Sequence, residues 1–364
     1  MKIAEIIAAL ETVAPLAWQE SYDNAGVQVG DITAEATAAL LCLDVTEAVV
    51  DEAVAVGANV IISHHPLLFK GLKSITGKSY IERVLMKAIQ HHIVIYASHT
   101  NMDNACHGVN YKIAEKLGLS SCRILEPLQN RLLKLVTYVP EASAGLLRNA
   151  LFQAGAGHVG NYDRCSYTVS GKGTFRPGDG ARPFCGEAGR EHTEEEARIE
   201  VILPDYRKTA VIAALLAAHP YEEPAFDIFR TETPCPVAGS GVVGDLPAGT
   251  DAVDFLKGVK TLFGAGCIRH TAVPGKKVRR IALCGGSGSF LIPAAIASGA
   301  DMFLTGEIKY HDYFGYENRI ILAELGHYES EQYTKDIFCD IITKKFPTFA
   351  VHYTKVDTNP INYL

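Results

Sequence analysis

The chain has 364 residues, 48% of them hydrophobic and 21% charged, with a formal net charge of -7. That composition supports a buried core and excludes a disordered chain; the negative balance argues against nucleic-acid binding, which needs a basic surface. Its nine cysteines, an odd number with no C-x-x-C pair, read as reduced cytosolic thiols and not as a disulfide framework or zinc knuckle.

At the N-terminus, Ile3, Ile6, Ile7, Leu10 and Val13 fall on one face of a helix. Glu5 and Glu11 interrupt what would be the uncharged centre of a signal peptide. No apolar run reaches bilayer-crossing length, so the expectation is a soluble, cytoplasmic protein that does not associate with membranes. From residue 39 the pattern is α/β. A strand is expected over 39–43, then a helix over 46–56 with Thr46 as N-cap. A second strand follows over 59–62, a helix over 80–90, and a third strand over 93–97. Such alternation implies a mainly parallel sheet with covered faces, whose strand ends are where sites are built.

The middle of the chain, 131–230, reads strand, helix, two strands, helix, strand. This β-α-β-β-α-β order is the ferredoxin-like motif, an α+β unit, and it is flanked by the linker-like stretches EPLQN and TETPCPVAG. The α/β grammar then resumes, with strands over 280–284, 302–304, 320–323 and 349–351 and helices over 290–298 and 328–344. The expected organisation is one α/β domain in two parts, 1–126 and 232–364, interrupted by an insertion, 127–231.

Three segments carry candidate chemistry. In Ile61-Ile62-Ser63-His64-His65-Pro66-Leu67 two imidazoles follow a strand, and Pro66 restricts His65 to extended geometry. In the turn beyond the strand both can lean into one cavity toward different partners; surface or capping histidines are the other reading. Ser98-His99-Thr100-Asn101-Met102-Asp103 ends the next strand. Asp103 is a hard oxygen ligand able to bridge two cations, His99 a ligand, proton relay or supporting partner, and an Asx-capped turn the alternative. In Gly326-His327-Tyr328-Glu329-Ser330-Glu331 a helix would bring His327 and Glu331 onto one face, as on many solvated helices.

Together, His64, His65, Asp103, His327 and Glu331 exceed what one four-coordinate ion needs. They suit two divalent ions drawn from Zn, Fe, Mn, Co or Ni, acting on a bridging water as in hydrolytic two-metal sites. Four further segments are weaker. CGGSGSFL, 284–291, is a glycine-rich turn whose amides could hold an anion. Glu307 or His311 could line the same cavity, Asp23-Asn24 marks a polar turn that could face it, and HPYEEP, 219–224, reads as a rigid turn.

In this order YDNAG, ISHHPLLF, SHTNMD, GGSGS, TGE and GHYESE resemble the Nif-three-like dinuclear-metal family, often labelled GTP cyclohydrolase I type 2. The resemblance covers roughly 1–126 and 232–364, with Tyr22 where many relatives carry Trp. It implies a Nif-three-like fold of two α/β lobes and two divalent ions per chain held by His64, His65, Asp103, His327 and Glu331. It further implies a toroidal homohexamer and, for the middle segment, similarity to the PII and CutA fold. The functional expectation is a metal-dependent hydrolase of a nucleotide or small phosphorylated substrate, with His99 relaying a proton. The alternative is a non-catalytic metal-binding regulatory or scaffold hexamer whose insertion senses a ligand or partner.

Overall fold

The computed structural model describes residues 1–273, 275 and 277–364. They form two compact units, one made of Met1–Glu126 with Val237–Leu364, the other of Pro127–Pro236.

The first unit contains two sheets. One has five strands in the order Gly26–Val29, Val94–Ala97, Val60–Ser63, Ala39–Cys42, Val351–Tyr353. Its last four strands pair in parallel, and Gly26–Val29 is antiparallel. Strands Ala39–Cys42, Val60–Ser63 and Val94–Ala97 are buried along their whole length, as unbroken apolar runs with both faces covered must be. Helices Glu47–Ala55 and Tyr80–Gln90 put Val49, Val50, Ala53, Val84, Leu85 and Ala88 against Leu40, Ile61 and Ile95. Each helix starts where a hydroxyl takes an otherwise orphan amide, Thr46 from Val49 and Ser79 from Glu82.

The second sheet has six strands, in the order Arg269–His270, Ile321–Glu324, Met302–Thr305, Lys277–Cys284, Gly239–Asp251, Ser120–Pro127. Lys277–Cys284, Met302–Thr305 and Ile321–Glu324 are parallel. Helix Ile292–Ala297 covers them through Ile292 and Ala295, against Ala282, Phe303 and Leu322.

In the other unit an antiparallel sheet runs Tyr167–Phe175, His192–Pro204, Leu132–Pro140, Phe226–Arg230. Helices Ala144–Gln153 and Lys208–Ala218 bury Leu147, Leu151, Val211 and Leu215 on Leu133, Leu135, Ile199 and Val201. His219 is spent locally. Its Nε2 lies 2.8 Å from the Tyr138 carbonyl, and its Nδ1 accepts the Tyr221 amide at 3.1 Å, which makes HPYEEP a rigid turn.

The C-terminal helix expected over 328–344 is two helices, His327–Glu331 and Thr334–Lys345. At the break the Thr334 hydroxyl donates to the Glu331 carbonyl, a side-chain bond that competes with the helical ladder. The final strand is Val351–Tyr353, two residues later than expected. No described helix is long and apolar enough to cross a membrane.

Candidate metal centre

The first unit collects the candidate ligands in one place, because its parallel strands all end on the same side. Strand Val60–Ser63 carries its pairing two residues further, His64 N–H to the Cys42 carbonyl and His65 N–H to that of Leu43, so both histidines leave the strand in fixed extended geometry. Their rings sit 4.9 Å apart, tilted by 51°. Strand Val94–Ala97 ends in Ser98, and Asn101 accepts the His99 amide at 2.9 Å, starting the short helix Thr100–Asn104 that carries Asp103. Gly326, at φ 112°, lets the chain turn from strand Ile321–Glu324 into helix His327–Glu331. There His327 Nε2 lies 3.1 Å from Glu331 Oε2, one turn away.

All five expected ligands meet, with Glu331 at the centre. Its Oε2 faces His65 Nε2 at 3.0 Å and His327 Nε2 at 3.1 Å; its Oε1 faces His64 Nε2 at 3.6 Å. Asp103 Oδ1 lies 3.6 Å from the same His64 nitrogen. Two donor sets result, His64–Asp103–Glu331 and His65–His327–Glu331, each with its ligand atoms within 4.8 Å of one another. The sequence offers Asp103 as a bridging carboxylate; the carboxylate standing between the two sets is Glu331.

The histidines are oriented from behind. His64 Nδ1 donates to the Ser98 carbonyl at 3.0 Å, so its neutral ring turns a bare lone pair at Nε2 toward two carboxylates. His65 Nδ1 is held by Asp44 at 2.8 Å, His327 Nδ1 by Glu307 at 2.9 Å, and His99 Nδ1 by Asp23 at 2.8 Å. This is the supporting shell that ligating imidazoles use. His99 stands beside the cluster, its ring 5.2 Å from His64 and 5.4 Å from His65.

Charge in the metal-free centre is unbalanced. Burial pushes the His64 pKa down to about 4, against the pull of Glu331. Burial also opposes protonation of His65 and His327, but carboxylate hydrogen bonds outweigh it, from Asp44 and Glu331 on the first and from Glu331 on the second. Their pKa values rise to about 10 and about 9. Burial and the Glu331 charge push Asp103 well above the usual carboxylate range. Glu331 is held well below it, because the surrounding imidazoles, His64 first, overcome its own burial.

Two buried polar atoms among the described residues have no hydrogen-bond partner, His64 Nε2 and Asp103 Oδ1. Buried polar atoms are normally satisfied, and here one lone pair faces another. A cation resolves that conflict, so the residues present fit a divalent metal.

Glycine makes room for the central carboxylate. Gly286 has φ +60°, and a Cβ there would stand 2.2 Å from Glu331 Oε1. Three of the GGSGS amides that could hold an anion are already engaged: Gly285 donates to Asn110, Gly286 to Ser330 and Gly288 to Thr305. Of the weaker candidates, Glu307 and Asp23 support ligating or neighbouring rings, while His311 packs against Tyr310 and does not line the cavity. Asp44 escaped the sequence reading although it too follows a buried strand, in ALLCLD. The centre opens into a cavity of about 580 Å³, whose lining includes Tyr22, Phe69 and Phe290.

The model of the family described as Duf34/NIF3 (NGG1p interacting factor 3) matches residues 1–360. This chain belongs to the Duf34/NIF3 family. A Halalkalibacterium halodurans relative named GTP cyclohydrolase 1 type 2 homolog is 38% identical over 315 residues, 85% of this chain and 85% of its own. A Bacillus subtilis protein of the same name is 34% identical over 369 residues, 99% of this chain and 98% of its own. The crystal structure of a Bacillus cereus protein related to NIF3 superposes with a TM-score of 0.86 at 35% identity, covering 100% of this chain and 99% of that one. A Staphylococcus aureus structure gives 0.79 at 30%, with the same coverage. The mixed α/β fold with mainly parallel sheets is thus that of NIF3-related proteins, and its His/Asp/Glu clusters are able to hold metal.

Proposed function

We propose that this centre holds two divalent cations and that the protein is a metal-dependent hydrolase of a nucleotide or another small phosphorylated molecule. The observation that carries the reading is the pair of buried, partnerless donor atoms, His64 Nε2 and Asp103 Oδ1, facing a shared Glu331. The relatives' name supports a nucleotide, and the homohexamer of the resembling family is the assembly we propose.

In this reading His64, Asp103 and Glu331 hold one cation, and His65, His327 and Glu331 the other. Zn, Fe, Mn, Co and Ni all suit such mixed nitrogen and oxygen donors. Bound there, the cations supply Lewis acidity and lower the pKa of water. The protein's own residues do the rest. Asp23, whose carboxyl is held at about 2 because hydrogen bonds from His99 and Thr100 overcome its burial, stays anionic and fixes the His99 ring. His99 thereby keeps its other nitrogen for taking a proton and passing it on. Tyr22, Phe69 and Phe290 offer ring faces at the cavity wall, suited to a planar base.

The test is chelator-stripped protein reloaded in turn with each cation and screened against nucleotides and phosphoesters. Turnover is expected only after reloading, and His99→Ala should lower it by about 10²–10⁴-fold with metal content unchanged. Turnover undiminished in metal-free Glu331→Gln protein sinks the hydrolase. A second reading, a metal-binding regulator, is favoured by the separate cavity of the 127–236 unit. It gains ground if metal binds stoichiometrically and no substrate turns over.

A further inference from the structure

Outside this centre, the described residues hold one other group of three ligand-type side chains: Cys185, His192 and Glu194, in the 127–236 unit. We infer that these three form a separate metal site that takes one Zn²⁺, pinning the loop 176–191 to the start of strand His192–Pro204.

The placement follows from strand geometry. His192 opens that strand opposite Phe175, and Glu194 sits opposite Gly173, so both side chains leave the same face two residues apart. The loop then folds back over this face. Gly186, at φ +83°, approaches so closely that a Cβ would stand 3.0 Å from His192 Cβ. Its neighbour Cys185 is thereby set above the strand, and the three donor atoms lie within 4.8 Å of one another. The loop is tied further by Gly189 N–H to the Pro177 carbonyl at 2.8 Å and by Arg182 N–H to Glu222 at 2.8 Å.

A thiolate, an imidazole and a carboxylate are a borderline-soft set that favours Zn²⁺ over Mg²⁺ or Ca²⁺. Zinc–ligand bonds of about 2.0–2.3 Å put tetrahedral donors about 3.3–3.6 Å apart. His192 Nε2 and Glu194 Oε2 are now 2.8 Å apart, so they need to open by only about half an ångström to admit the ion. His192 is backed by the Phe175 ring at 5.4 Å, and Cys185 Sγ stands 4.0 Å from the Tyr221 hydroxyl, which itself donates to the buried Glu196 at 2.8 Å. Three protein ligands leave a fourth position for water. Phe184, next to Cys185, lines a cavity of about 560 Å³ together with Phe175 and Tyr221. An ion at Cys185 would therefore fix one wall of that cavity.

The full-length, reduced, chelator-stripped protein is titrated with Zn²⁺ while alkylation of Cys185 is followed by peptide mass spectrometry. At a hundred times the Kd only about one site in a hundred is free, so alkylation of Cys185 should slow about a hundredfold. His192→Ala, which keeps the thiol, should lose that protection. With Co²⁺, a thiolate charge-transfer band should appear, survive in Glu331→Gln and vanish in Cys185→Ser. Cys185 alkylation unchanged by saturating Zn²⁺ overturns the site. So does a band that persists in Cys185→Ser and disappears in Cys284→Ser, since Cys284 lines the other cavity.

Discussion

The two units solve the same problem, placing polar groups beside a sheet, in opposite ways. In the unit made of Met1–Glu126 and Val237–Leu364, parallel strands finish together, so residues as far apart in the chain as His64 and Glu331 reach one buried point. In the 127–236 unit the sheet is antiparallel, and the groups that gather there come from alternate positions of a single strand and the loop leading into it. The first arrangement buries its donor atoms and leaves two of them without a hydrogen-bond partner. The second leaves His192 and Glu194 each about 30% exposed and already paired to each other. Parallel ends thus concentrate buried donor atoms that a cation would satisfy, while the antiparallel strand builds a more exposed cluster whose His192 and Glu194 are already paired.

This contrast can be broken at its strongest point first. Glu331→Gln removes the carboxylate common to both donor sets, and metal affinity should fall by more than about a hundredfold, beyond the loss seen on removing an outer partner. Elemental analysis after gel filtration reads this directly; retention of full stoichiometry would separate Glu331 from the centre. Next, Leu215→Ala opens the core of the 127–236 unit, where Leu215 is fully buried, and should cost about 2–5 kcal/mol. Denaturant unfolding should show that loss while ion binding at the His64–Glu331 centre, which depends on residues of the other unit, stays constant. Asp44→Asn keeps the fold and all five ligands but loosens the support of His65. It should weaken metal binding about 10–100-fold at the His65–His327 set and spare the His64–Asp103 set, a difference visible as biphasic titration.

The smallest effect is on pH dependence. In the metal-free protein His65 and His327, with pKa values of about 10 and about 9, are protonated at neutral pH. A cation must displace those protons, so affinity should rise with pH between 6 and 8, by about tenfold per unit for each proton released. Calorimetry in buffers of different ionisation enthalpy counts the protons. Affinity flat across that range would mean the rings are already neutral.

The ligands were legible because His64 and His65 sit one or two residues past a buried strand and His327 opens a helix, while Asp103 and Glu331 lie in the short helices that follow buried strands. Their support was harder to see. Asp44 obeys the same strand-end rule, but a single carboxylate after a strand has no spacing signature to set it apart. The sharing of Glu331 depends on which way the short helix His327–Glu331 faces, and the Thr334 hydroxyl that ends it reads in sequence like any helical threonine. The long strand Gly239–Asp251 was hidden for another reason: its glycines and Pro247 look like linker chemistry, and its pairing shifts register between Asp245 and Thr250. Bulged strands lose the alternation by which strands are recognised. The GGSGS turn was legible as a turn, yet its purpose, clearance for a carboxylate, belongs to a contact more than forty residues away.

Strands Ser120–Pro127 and Gly239–Asp251 lie side by side at one edge of the six-stranded sheet, with the Ser120 hydroxyl donating to the Asp245 carbonyl at 3.1 Å. The polypeptide therefore departs and comes back on adjacent rungs. Everything between those rungs occupies the place of a hairpin turn, and a turn can lengthen at little entropic expense. Excising 128–235 and joining the ends with a few glycines should leave the remaining strands in register, which makes the whole segment a removable cassette.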